Sequence, residues 1–142
     1  MKQFKLLGIF VFSAVLFFSC ESVDDAQIVA DEFYEAYNTE NETKMESLLD
    51  KEAVIDAGIK DQFYNVFSQH AQAFGKVTSY ERYAFSTNTN NGLTTVLLKF
   101  NCDTENGTTV YEKIGFVKRN EGYKVIEFEY NIDKTVIDKV VE

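Results

Sequence analysis

"TTVLLKFNC", residues 94 to 102, decides the fold. Val96, Leu98, Phe100 and Cys102 share one parity, with Thr95, Lys99 and Asn101 among the residues between them. Successive side chains of an extended chain point to opposite faces, so this spacing predicts a strand with one face in a core. Its neighbours follow the same rule. "NTNNG", 88 to 92, is a turn, with Asn and Gly accepting positive φ, and it joins a preceding strand over 76–86. "TENG", 104 to 107, leads into a strand over 108–118, where Val110, Ile114 and Phe116 share a face. "RNEG", 119 to 122, leads into 123–130, with Ile126, Phe128 and Tyr130 expected to face inward. Loops this short between successive strands require an antiparallel meander.

Upstream of the meander the period changes from two to about 3.6. Ala26, Val29, Ala30, Phe33 and Tyr37 fall on one helical face, predicting a helix over 23–37 with Ser22 as its cap. A shorter helix is expected over 40–50, with Thr39 and Glu42 as a capping box and Met45, Leu48 and Leu49 buried. "AVIDAG", 53 to 58, reads as a connection, with brief pairing as a strand left open. A third helix fits 61–74 on the stripe Phe63, Val66, Phe67, His70, Ala71 and Phe74, and Gly75 stands where a left-handed cap belongs. The tail, 132–142, is β-branched enough to leave helix and strand both open. Helices first and strands after predict an α+β class, with N-terminal helices packed on a curved antiparallel sheet of about four strands.

The first 20 residues read differently. Lys2 and Lys5 precede an uncharged, mostly apolar run from Leu6 to Phe18, then Ser19 and Cys20. The run is shorter than the roughly 20 residues a spanning helix needs and suits the apolar region of a secretory signal. "VLFFSCES", 15 to 22, resembles the end of a bacterial lipoprotein signal, and the Phe-, Tyr-, Asn- and Lys-rich composition resembles that of Bacteroidota. The resemblance implies cleavage before Cys20, a diacylglycerol on its thiol, and a location in the cell envelope on a lipid anchor. An ordinary secretory signal cut elsewhere is the alternative. The expected organisation is a signal over 1–19, a lipidated Cys20 with a short tether over 20–23, an α+β domain over 24–130, and a tail over 131–142. A Cys20 held as thioether leaves Cys102 without an intramolecular partner, so the domain must be held by an ordinary core. Loss of Lys2 and Lys5 moves the net charge from -9 to -11. Such a surface repels phosphate backbones, which argues against a nucleic-acid partner.

Helices followed by a curved meander resemble the nuclear-transport-factor-like, cystatin-like cone. The resemblance is carried by "FGKVTSYERY" (74–83), "TTVLLKFNC" (94–102) and "YEKIGFVKRNEGYKVIEFEY" (111–130). The chain is similar to uncharacterised envelope proteins of that fold. Where their pattern often has Trp before the last strand, Tyr123 stands here. The resemblance implies a sheet wrapped around a pocket closed by helices. It also implies a choice between isomerases or dehydratases that use Asp, His and Tyr in the cone, and proteins that only bind or dimerise.

The residues that bear on that choice are few. His70, the only histidine, lies on the apolar side of the third helix and is read as a packed side chain before a base. Cys102 shares its face with Val96, Leu98 and Phe100 and reads as a buried small hydrophobe. Glu112 shares parity with Val110 and Ile114; there it can act as acid or base, lie at an exposed edge, or pair with Lys99 across the sheet. Tyr34, Tyr37, Tyr80, Tyr83 and Tyr111 line a pocket or fill a core. One His and one free Cys do not make a zinc set, and no phosphate loop, nucleophile elbow or dinucleotide fingerprint is present. No cofactor or metal is expected. The reading is a membrane-anchored binding or interaction module, with a small apolar ligand, an envelope protein or a second copy docked through the sheet as partners. The alternative is an isomerase- or dehydratase-like enzyme using Glu112 and tyrosines, or His70. A pocket of about 300 Å³ or more containing Glu112 or His70 separates the two.

Overall fold

A computed structural model describes residues 21–139. The segment 1–19 expected to be a signal, and Cys20, lie outside that range. Helix α1 occupies 21–38, α2 Glu42–Leu48 and α3 Lys60–Phe74, with a short π-helical turn at Lys51–Asp56. Strands β1 (Val77–Asn90), β2 (Leu93–Thr104), β3 (Thr109–Arg119) and β4 (Gly122–Asn131) follow, and α4 (Lys134–Asp138) ends the described chain. The sheet order is β1-β2-β3-β4, antiparallel throughout. No helix of the described residues is long and apolar enough to cross a membrane.

The alternation in β2 works as expected. Val96, Leu98, Phe100 and Cys102 are buried against α1 and α3, beside Val110, Ile114 and Phe116 of β3. In β4 the inward set differs. A bulge opposite Gly115 and Phe116 shifts the register, so Val125 is buried in place of Ile126. A bulge adds one residue and turns a side chain to the other face, which a strict two-residue period misses.

Local departures have identifiable causes. Residues 21–23, expected as part of a tether with Ser22 as a cap, are already helical, because Val23 is buried in the core. Helix α2 starts later than expected. Asn41, not Thr39, is its cap, accepting from Lys44 N–H at 3.0 Å, while Glu40 sits at φ 53 in the turn. The connection after α2 is a π-helical turn capped by Asp50, whose carboxylate accepts from Ala53 N–H at 2.9 Å. Strand β1 runs to Asn90 rather than ending at Ser86. Asn91 (φ 51) and Gly92 (φ 77) alone reverse the chain, a two-residue turn that matches the twist of the strands it joins. The described part of the tail, 132–139, contains α4, capped by Asp133, with Ile137 buried.

Candidate functional site

Strand parity and helix phase bring four polar side chains together inside the cone. Glu112 stands opposite Phe100 on β2 and Tyr130 on β4, so it faces inward. His70 lies one turn before the end of α3, and Tyr34 and Tyr37 lie on the face of α1 that meets it. Tyr34 O–H donates to Glu112 Oε2 at 2.7 Å and lies 3.5 Å from Cys102 Sγ. His70 Nε2 is 2.7 Å from Glu112 Oε1, and both side chains are 1% exposed. Tyr37 O lies 2.5 Å from His70 Nδ1 and its hydroxyl donates to the Gly75 carbonyl at 3.0 Å.

The hydrogen count follows from these contacts. Tyr37 has one hydroxyl hydrogen, and Gly75 O takes it, so the Tyr37 oxygen accepts from His70 Nδ1–H. Nε2 is then left facing Glu112 Oε1. The separation is that of an ion pair, but the alignment is not that of a good hydrogen bond, and neither atom has another partner. The chain Tyr37–His70–Glu112–Tyr34 is therefore connected by distance, with its weakest directional link at the centre.

The surroundings oppose free charge. Burial first, then the nearby Glu112 carboxylate, raises the Tyr34 phenol well above its ordinary value; the same two causes raise Tyr37. Burial, then Glu112, also pushes the Cys102 thiol far up, so it is not a ready nucleophile. Tyr80 stacks on Tyr34 at 4.1 Å and donates to Asp31 at 2.8 Å; burial, then that bond, pushes its pKa up to about 12. The rings of Phe74 and Tyr130 stand edge-on to His70 at 5.2 and 4.8 Å.

Gly75 holds one end of this chain in register. It ends α3 at φ 76, ψ -150, a region essentially reserved for glycine. A Cβ there would come within 2.5 Å of Glu105 Oε2, the oxygen that accepts from Lys76 N–H at 2.8 Å. This conformation is what presents the Gly75 carbonyl to Tyr37.

The five tyrosines part company. Tyr34, Tyr37 and Tyr80 belong to the cone side. Tyr83 and Tyr111 meet on the opposite face of the sheet, 6.4 Å apart, beneath α4. Tyr83 O–H donates to Asp138 at 2.9 Å and Lys134 lies over its ring at 4.3 Å. Tyr83 is three residues from Tyr80, so alternation along β1 puts it on the other side of the sheet from Tyr80. The suggested Glu112–Lys99 pair does not form. Lys99 is of the other parity, opposite Lys113, and reaches Asp138 at 3.4 Å.

A histidine beside a glutamate can do acid–base work on a substrate within hydrogen-bond reach. Reach is what this pair lacks. Cavities of about 470, 430, 210 and 160 Å³ indent the surface, and neither His70 nor Glu112 lines any of them. Of these four cavities, the 470 Å³ groove beside α1 and α3 is bordered by one of the four polar residues, Tyr37. Among the described residues no three His, Cys, Asp or Glu converge as metal ligands.

No family model and no curated protein matches the chain. Solved structures do. An NTF2-like protein of unknown function from Shewanella baltica superposes with a TM-score of 0.51 at 12% identity, covering 79% of this chain and 94% of the other. A candidate dehydratase of the NTF2-like family from Streptomyces avermitilis gives 0.50 at 14% identity, covering 79% and 96%. A candidate ketosteroid isomerase from Shewanella frigidimarina gives 0.48 at 15% identity, covering 75% and 94%. Identities this low speak to fold and not to activity. Helices closing a curved four-stranded antiparallel sheet, together with these superpositions, make this an α+β protein of the NTF2-like cone fold.

Proposed function

We propose that the protein is a non-enzymatic binding module held at the bacterial envelope by a lipid on Cys20. The observation that carries the first half is the sealed cone: the groups most able to do chemistry, His70 and Glu112, are 1% exposed and walled by aromatic rings. The second half rests on the leader, with its basic start, apolar run and Ser19–Cys20 junction. An isomerase- or dehydratase-like reading is favoured by one observation, the 2.7 Å approach of His70 Nε2 to Glu112 Oε1 with Tyr34 on the other carboxylate oxygen. It requires the cone to open.

Each half has its own test. Cys20→Ala is expected to abolish fatty-acid labelling in cells and leave the precursor uncut; unchanged labelling contradicts the anchor. In a Cys20→Ser chain, Cys102 is expected to resist a thiol reagent until the protein unfolds. Fast reaction in the folded state would show that small molecules enter the cone.

A further inference from the structure

We propose that the groove between the end of α1, the start of α2 and the flank of α3 binds a small organic cation, an ammonium group carried on an apolar body. This rests on the reading of the protein as a binding module and names the ligand class.

Its volume, about 470 Å³, falls within the range of small-molecule sites, roughly 300–1,000 Å³. The floor is apolar: Ala36, Met45 and Phe67 are buried there. Two half-buried rings, Tyr37 and Tyr64, form walls. Both are fixed before any ligand arrives. Tyr37 is held by His70 and Gly75, and Tyr64 O–H donates across the groove to the Glu42 carbonyl at 3.3 Å. Fixed walls save the ordering cost of binding.

The charge of the ligand follows from what is paired and what is not. Glu40 and Glu42 border the groove, both exposed, and no basic residue does. The nearby lysines are engaged elsewhere, Lys44 with Glu32 and Lys60 with Glu46. Among the described residues Glu40 and Glu42 have no ion-pair partner. Burial first, then Glu46 and Glu42, raises the Tyr64 phenol, which reflects the same negative field. An anion would meet two carboxylates and a net charge of -9. A neutral ligand would leave both carboxylates idle. A cation is drawn to them and to the ring faces, whose quadrupole attracts positive charge.

The test uses three probes with one aromatic body: phenethylammonium, phenethyl alcohol and phenylacetate. Binding to the purified full chain is followed by NMR at the Met45 and Ala71 methyl groups. Phenethylammonium is expected to shift those signals and to bind about tenfold tighter than the alcohol, with phenylacetate weakest. The double variant Glu40→Gln, Glu42→Gln alters only exposed side chains, and is expected to lose about tenfold for the ammonium and little for the alcohol. Phenylacetate binding as tightly as the ammonium, or unchanged affinity in the double variant, overturns the cationic assignment. Absence of binding by all three overturns the site and leaves the sealed cone standing. Shifts at Leu98 and Ile114 instead of Met45 overturn the groove and the sealed cone together.

Discussion

Glu112 has two neighbours, and removing its carboxylate takes a contact from both. Glu112→Ala would leave His70 Nε2 buried without a neighbour and Tyr34 O–H with only the weak acceptor Cys102 Sγ at 3.5 Å, a loss of about 3–5 kcal/mol for breaking a buried charged contact. Glu112→Gln keeps an oxygen for Tyr34 and offers an N–H to Nε2, so it is expected to cost about 1 kcal/mol. Urea unfolding of the two variants checks this, and equal losses would contradict the contacts of Glu112 with Tyr34 and His70. Asp50 gives a second residue-scale test. Arg119 donates to both of its oxygens, Nε at 2.8 Å and Nη2 at 2.9 Å, and Asp50 is 2% exposed. The Arg119 hydrogen bonds, with a smaller opposing effect of burial, hold the carboxyl below its ordinary range. In the window between its folded and unfolded values the unfolded chain binds more protons, so stability rises with pH there. The contribution is whole above about pH 5 and fades as pH falls through the unfolded value near 4 and on to the folded one. Asp50→Asn is expected to flatten the stability profile between about pH 5 and 3 relative to the parent chain; parallel profiles would contradict the pairing.

At the scale of elements, the strands were legible because their chemistry is local. Alternation places Val96 to Cys102 on the core side with no knowledge of the rest of the chain. Helix phase likewise places His70 inward. What could not be read depends on irregularity or on distant pairing. The bulge at Arg82/Ala84 puts Ala84 opposite Lys99 on the outer side, and the one at Gly115/Phe116 exchanges Ile126 for Val125. The meeting of His70 with Glu112 joins α3 to β3, and no local spacing encodes it. The parity of Glu112 was the only available signal, since an acidic residue on an apolar face needs a partner. The turn at Asn91–Gly92 is an element with a direct test. At φ 77, Gly92→Ala is expected to cost about 1–2 kcal/mol, measured as a lower urea midpoint, whereas no change would contradict the two-residue turn.

For the whole molecule, the two faces of the sheet have different duties. The inner face is filled, by Phe33, Tyr34, Phe100 and Phe116 around the polar chain. The outer face is partly covered: α4 buries Ile137 there, and Lys113 lies between Glu127, at 2.9 Å, and Glu129. Burial works against the charge on Lys113, but its hydrogen bonds to Glu129 and Glu127 outweigh it and raise its pKa. A second copy docking through this face would have to accommodate or displace α4. The groove proposed for a ligand lies on the helical side, away from both sheet faces. His70 is the only histidine in the chain, so one reagent reads the central claim. Exposed to diethyl pyrocarbonate, His70 of the folded protein should stay unmodified over the time that fully modifies the urea-unfolded chain. Modification of the folded protein at a rate near that of the unfolded chain would mean that the cone is open and that the binding-module account is wrong.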